Sequence, residues 1–144
     1  MVISYRSNYI SLSAIEYIME EDLLHEYFKS AEKEFKEENY TSSTVLYSKF
    51  IFLSIDLYLK RRYNVTVKNH NERKIYLASK KNIDSVAREL YDIYENVYKL
   101  YIETYTRKIK KEEAIVVKNI AEKIKDIIKY DWSFAKRTWK IHKW

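Results

Sequence analysis

The sequence of 144 residues contains no glycine, no proline and no cysteine. Average usage would supply roughly ten glycines and seven prolines in a chain of this length. All-β folds and doubly wound α/β folds depend on residues with positive φ, so the missing glycine favours helices joined by short polar loops. Because cysteine is absent, disulfides, thiolate zinc sites and cysteine nucleophiles are excluded.

Several function classes need glycine for their chemistry. A Walker A loop and a dinucleotide-binding turn use glycine to bring the backbone close to phosphate, and an EF-hand loop needs a glycine for its sharp turn. None of these can be built here, and we expect no cofactor.

Long apolar runs are also missing. The most apolar stretch, residues 45–59, is too short to span a bilayer and contains Lys49 and Asp56. No basic–apolar–small signal stands at the start of the chain, so we expect a cytoplasmic location.

The residues that are present describe one globular domain over residues 1–144. Hydrophobic residues make up 47% and charged residues 33%, and the abundance of Lys, Glu and Ile with no Gln is typical of a thermophile. Residues 1–59 carry 5 basic and 10 acidic residues, a net charge of −5, whereas residues 60–144 carry 22 and 11, a net charge of +11. This asymmetry favours a polyanion partner or a head-to-tail contact, the alternative being an evenly solvated surface.

Hydrophobic periodicity predicts an all-α fold, a compact antiparallel bundle of four to five helices. The predicted helices cover residues 13–39, 41–62, 84–106 and 111–129, with a short one at 69–79 and another beginning near Asp131. Capping boxes at Ser13 and Asn69 start two of them, and Asn39 is expected to end the first in left-handed geometry. The second helix is apolar nearly all round, which predicts a central, buried position.

A family resemblance rests on short motifs along residues 22–130. The first helix ends in Ala31–Lys36 and is followed by the break Glu38-Asn39-Tyr40 and the buried run Leu46–Phe50; Asn69–Asn71 forms a histidine-containing step. This pattern, with its last two helices, resembles the HEPN domains (higher eukaryotes and prokaryotes nucleotide-binding). The basic, aromatic C-terminal segment 131–144 lies beyond the resemblance.

The resemblance implies a helical bundle that dimerises, and in active members a metal-independent ribonuclease. Those members carry an Arg, followed a few residues later by a His, near the start of the last helix. Arg107 stands at about that place, but Lys108–Glu113 contains no His. Arg137 and His142 match the spacing literally but follow the last family helix, so we expect no catalytic site.

Basic residues mark two candidate nucleic-acid contacts. One is the step between the last two long helices, and the other is the C-terminal segment with its three Trp residues; together they supply Arg107, Lys108, Lys110, Lys111, Lys136, Arg137 and Lys140. Basic residues with aromatic neighbours suit phosphate contact and base stacking. The alternatives are a solvated helix end, a flap docked on the bundle, or a segment lying on an anionic membrane.

Tyrosines form a stripe on the predicted helix 84–106. We expect Tyr94, Tyr98, Tyr101 and Tyr105 to serve as a homodimer interface, with core packing and a ligand platform as the alternatives.

Titratable residues give no metal site. His25, His70 and His142 lie on different elements, and Asp22-x-x-His25 lacks the second pair that a di-iron bundle needs. Asp56 is interpreted as part of the single polar edge of its helix, with Lys49 and Lys60. The alternative is a functional carboxylate, which would need a partner and a cleft.

The leading hypothesis is a non-catalytic, HEPN-like homodimer. It would bind nucleic acid, a nucleotide or a partner nucleotidyltransferase in a toxin–antitoxin-like system. The alternatives are a metal-independent ribonuclease and a structural scaffold.

Overall fold

The computed structural model describes residues 2–5 and 8–127, with side chains from residue 14 onward. Within these residues, five helices make up the bundle: α1 (Leu12–Lys36), α2 (Tyr40–Tyr63), α3 (His70–Lys80), α4 (Ser85–Glu103) and α5 (Lys111–Ile127). The predicted all-α bundle is confirmed. The short helix predicted from Asp131 lies outside the described residues.

Two short strands precede the bundle. β1 (Val2–Tyr5) pairs antiparallel with β2 (Asn8–Ser11), with Val2 opposite Ser11. This hairpin was not predicted from the sequence. α1 begins directly after it at Leu12, one residue before the predicted start at Ser13.

Helix α2 is the centre of the bundle, as predicted. Its buried large side chains include Tyr47, Phe50, Ile51, Ile55 and Leu59, and α1, α4 and α5 all pack against it. Lys60, at its C-terminal end, pairs with Glu20, whereas the Ser43 hydroxyl at the opposite end donates to the Ala31 carbonyl, so α1 and α2 run antiparallel.

The turn between α1 and α2 corrects one prediction. Glu38, not Asn39, takes the left-handed conformation, with φ of 64°. Asn39 has φ of −89° and directs its amide to the Glu34 carboxylate at 2.8 Å. Left-handed geometry is used once more at Asn64, which ends α2 by donating its N–H to the Lys60 carbonyl.

Polar caps begin α3 and α4, and the cap of α3 was predicted from the sequence. The Asn69 side chain accepts from the Glu72 N–H at 2.9 Å, and Asp84 accepts from the N–H groups of Val86 and Ala87. The second oxygen of Asp84 accepts hydrogen bonds from the Tyr58 and Tyr63 hydroxyls of α2. This carboxylate therefore fixes the start of α4 to the end of α2.

Candidate functional site

The predicted basic step lies in the turn between α4 and α5. Arg107 is held within the protein: its guanidinium reaches Glu113 at 2.6 and 3.0 Å and Glu103 at 3.3 Å. The hydrogen bonds from Arg107 lower the pKa of Glu113 to about 2. Arg107 therefore shapes the turn, and a ligand phosphate would have to compete with two carboxylates for it.

Three lysines of the same turn face solvent. Lys108, Lys110 and Lys111 are exposed, and none forms an ion pair within the part of the chain that the structure describes. We call these three residues the lysine turn. Their ammonium groups are available to an external anion.

The lysine turn borders a groove of about 300 Å³. Lys108 and Ile109 form one wall, and residues 38–42 form the other. Ile109 is buried and its N–H donates to the Thr41 hydroxyl at 2.9 Å, which fixes the turn against α2. The groove therefore lies at the N-terminus of α2.

The groove carries groups that attract an anion and one carboxylate, Glu38, that repels it. The first N–H groups of a helix have no acceptor within it, and Asn39 makes no side-chain cap. Lys108 adds a cation, and Glu38 adds a carboxylate at the groove wall.

The tyrosine stripe divides between core and surface. Tyr94 is 1% exposed and packs edge-on to Phe52, so it is enclosed within the domain. Tyr98 and Tyr101 are partly exposed, and Tyr105 is 71% exposed. Of the four predicted interface residues, Tyr98, Tyr101 and Tyr105 are therefore accessible to a partner, whereas Tyr94 is not.

A polar network that the sequence did not predict joins α2, α3 and α4. Arg73 of α3 donates two hydrogen bonds to the Asp56 carboxylate of α2, at 2.6 and 2.8 Å, and one to the Tyr94 hydroxyl at 3.1 Å. Burial raises the pKa of Asp56, and the guanidinium opposes that shift. The sequence interpretation placed Asp56 on a polar edge with Lys49 and Lys60 but missed Arg73: both lysines are exposed, whereas the Asp56 carboxylate is partly buried and paired.

His70 completes the network at the first residue of α3. Its ring stacks on Tyr98, with centroids 3.4 Å apart, and Nδ1 hydrogen-bonds the Tyr94 hydroxyl. Burial lowers the pKa of His70, with a further lowering from the charges of Arg73 and Lys74 and an opposing effect of Glu95. The network attaches α3 to the bundle.

Candidate ligands for a metal do not come together. His25 is exposed on α1, and residues 14–127 contain no cluster of His, Asp and Glu that could hold an ion. The predicted contacts Lys136, Arg137 and Lys140, and the weak catalytic candidate His142, lie outside the described residues.

Within the described residues, no helix has the length and apolar character needed to cross a membrane. Comparison of the chain with family models, curated proteins and solved structures gives no match.

Proposed function

We propose that the protein is a non-catalytic, HEPN-like bundle that binds nucleic acid through its phosphate backbone at the lysine turn. The observation that carries this proposal is the exposed Lys108 in the groove at the N-terminus of α2, with Lys110 and Lys111 exposed in the same turn. Lysines supply the charge that phosphate contacts require, and helix N-termini donate N–H groups to phosphate oxygens. The net charge of +11 on residues 60–144 supports the same partner.

Binding is favoured over cleavage by the state of Arg107. A ribonuclease of the type that the resemblance implies would direct this guanidinium at RNA, whereas here it is bound to Glu103 and Glu113. The sequence between Lys108 and Glu113 also supplies no imidazole for proton transfer.

The proposal extends to assembly. Tyr98, Tyr101 and Tyr105 are the surface part of the stripe, and their large amphipathic rings suit an interface with a second copy or a nucleotidyltransferase partner. Ile102, 44% exposed, adds apolar area to this part of α4. Light scattering across micromolar concentrations tests the homodimer, and a monomer throughout would remove that part of the proposal.

Titration of labelled RNA and DNA at several salt concentrations tests the binding. We expect binding that weakens steeply with salt, and a triple variant Lys108→Ala, Lys110→Ala, Lys111→Ala whose log–log salt slope on duplex is shallower by about 2 to 3. The matched control removes the same charge at three scattered, exposed lysines, Lys29, Lys49 and Lys99.

Two results would contradict the proposal. One is no binding by the wild type even at low salt. The other is an equal loss in the control variant, which would assign the affinity to net charge and not to the lysine turn. A complementary variant, Glu38→Gln, removes the carboxylate at the groove wall and is expected to tighten binding.

A further inference from the structure

A second basic surface surrounds the connection between α3 and α4. Its four cations come from the end of α2, the end of α3 and the first turn of α4: Arg62, Lys80, Lys81 and Arg88. Arg62 reaches Asp84 at 3.3 Å, and Arg88 donates to the Lys81 carbonyl at 3.0 Å. Because Asp84 is buried and already accepts from two tyrosines, the charge presented to solvent is positive.

Two aromatic rings lie beneath the lysines of this surface. The Lys80 ammonium stands 4.5 Å from the centroid of Tyr63, and the Lys81 ammonium stands 4.3 Å from the centroid of Tyr91. Both rings are partly exposed. Each ring therefore presents a face to a flexible side chain at the surface. We call Tyr63, Lys80, Lys81, Arg88 and Tyr91 the tyrosine–lysine patch.

A ring face covered by the ammonium of a partly exposed lysine can exchange that cation for a flat base. Stacking of a base on an aromatic side chain is stronger than an exposed cation–π contact, and the displaced ammonium can then pair with phosphate. Ile83, 76% exposed, adds apolar surface in the connection between the helices.

We infer that the tyrosine–lysine patch binds single-stranded nucleic acid, with bases stacked on Tyr91 and Tyr63 and phosphates held by Lys80 and Lys81. This inference rests on the proposed function and deepens it by naming the class of nucleic acid. Single strands are favoured because the base faces of a duplex are already stacked on one another. Here side chains from α2, α3 and α4 bring two ring faces and their cations to one end of the bundle.

The patch and the lysine turn lie at opposite ends of α4. Its 19 residues place the two ends about 28 Å apart. Glu89, Asp92 and Glu95 between them carry negative charge. Each end therefore contacts phosphate separately, and the contributions of the two surfaces can be measured independently.

The test compares Tyr91→Leu, which removes the ring, with Tyr91→Phe, which keeps it. Tyr91 is chosen because the Tyr63 hydroxyl also holds Asp84. We expect Tyr91→Leu to weaken binding of a single-stranded oligonucleotide about tenfold, with little effect on a duplex, and Tyr91→Phe to retain wild-type affinity. Circular dichroism confirms that both variants are folded.

The phosphate contacts have their own readout. Lys80→Ala with Lys81→Ala is expected to make the single-strand salt slope shallower by about 1.4, whereas Lys29→Ala with Lys99→Ala leaves it unchanged. Ultraviolet crosslinking of the wild-type protein, followed by peptide mapping, is expected to place adducts at Tyr91 or Tyr63.

The outcomes separate the two proposals. If the wild type binds no nucleic acid, the proposed function fails and this inference fails with it. If the lysine-turn variant loses affinity while Tyr91→Leu and the Lys80, Lys81 variant bind like the wild type, the inference alone is overturned. Adducts confined to the lysine turn would overturn it as well.

Discussion

Two arginine–carboxylate pairs of similar geometry differ in their exposure to water, mainly at the guanidinium. Arg73 and Asp56 join α3 to α2, with side chains 13% and 25% exposed, whereas Arg107 and Glu113 lie at the α4–α5 turn, with side chains 36% and 30% exposed. Water can solvate either partner of the exposed pair when the other is removed, but a buried charge must stay paired. Similar hydrogen bonds therefore make unequal contributions to stability.

The largest effect is expected from Arg73→Met, which leaves the mostly buried Asp56 carboxylate without its cation. The free energy of unfolding should fall by about 3 kcal/mol, and the Asp56→Leu, Arg73→Met double variant should recover most of that loss. Urea unfolding measures both. Equal losses in Arg73→Met and Arg107→Met would remove the distinction between the pairs.

The next largest loss of stability is expected from replacing Asp84, the carboxylate at the start of α4. Burial acts to raise the pKa of Asp84, but hydrogen bonds from Tyr58 and Tyr63 outweigh it, so the pKa is lowered and the group is ionised at neutral pH. Asp84→Ala removes a helix cap and leaves two tyrosine hydroxyls without their acceptor, at a cost of about 2 kcal/mol in urea unfolding. Asp84→Asn, which can still accept, should lose less. A loss in Asp84→Asn equal to that in Asp84→Ala would show that the accepted hydrogen bonds do not matter.

His70 makes the α3 side of the molecule sensitive to acid. Its pKa is lower in the folded protein than in the unfolded chain, so the unfolded chain binds more protons as the pH falls below about 6.5, and stability decreases. Urea unfolding across this range should show a steeper decline for wild type than for His70→Phe, which keeps a ring on Tyr98. Parallel declines would mean that His70 does not sense pH.

The smallest effect is expected at the exposed pair. Arg107→Ala should leave the urea midpoint unchanged within error, because the pair is solvated. Its effect appears instead in the titration of Glu113, whose lowered pKa should rise when the guanidinium is removed, as followed by carboxyl-carbon NMR. A pKa of Glu113 that does not change would assign the lowering to the Lys110 N–H and not to Arg107.

The sequence predicted the helices because their signals are local. The apolar surface of α2, the cap at Asn69 and the start of α4 at Asp84 can each be read within a few neighbouring residues. The left-handed conformation of Glu38 was not predicted, because the turn can place its left-handed residue one position earlier without any change in the hydrophobic pattern. Asn39 was expected there because Asn adopts this conformation more readily than Glu.

The polar network could not be predicted because its members meet only in three dimensions. Asp56 was visible as a charge in an apolar helix, but nothing in the sequence selected Arg73, 17 positions away, from 27 basic residues. The tyrosine stripe shows the same limit. Tyr94 and Tyr105 belong to the same helical stripe in the sequence. In the structure, however, α3 covers the first part of the stripe, where His70 stacks on Tyr98, whereas Tyr105 at the far end is exposed.

Helix α3 is attached to the bundle by the polar network of Arg73 and His70 and by only one fully buried side chain, which affects how readily it detaches. Leu77 is its one buried residue, whereas α4 and α5 each bury four, so detachment of α3 would expose less apolar surface than detachment of α4 or α5. Its release would therefore change the heat capacity less than release of either of those helices. Amide hydrogen exchange would detect it, as a unit of eleven residues that opens before the rest of the bundle.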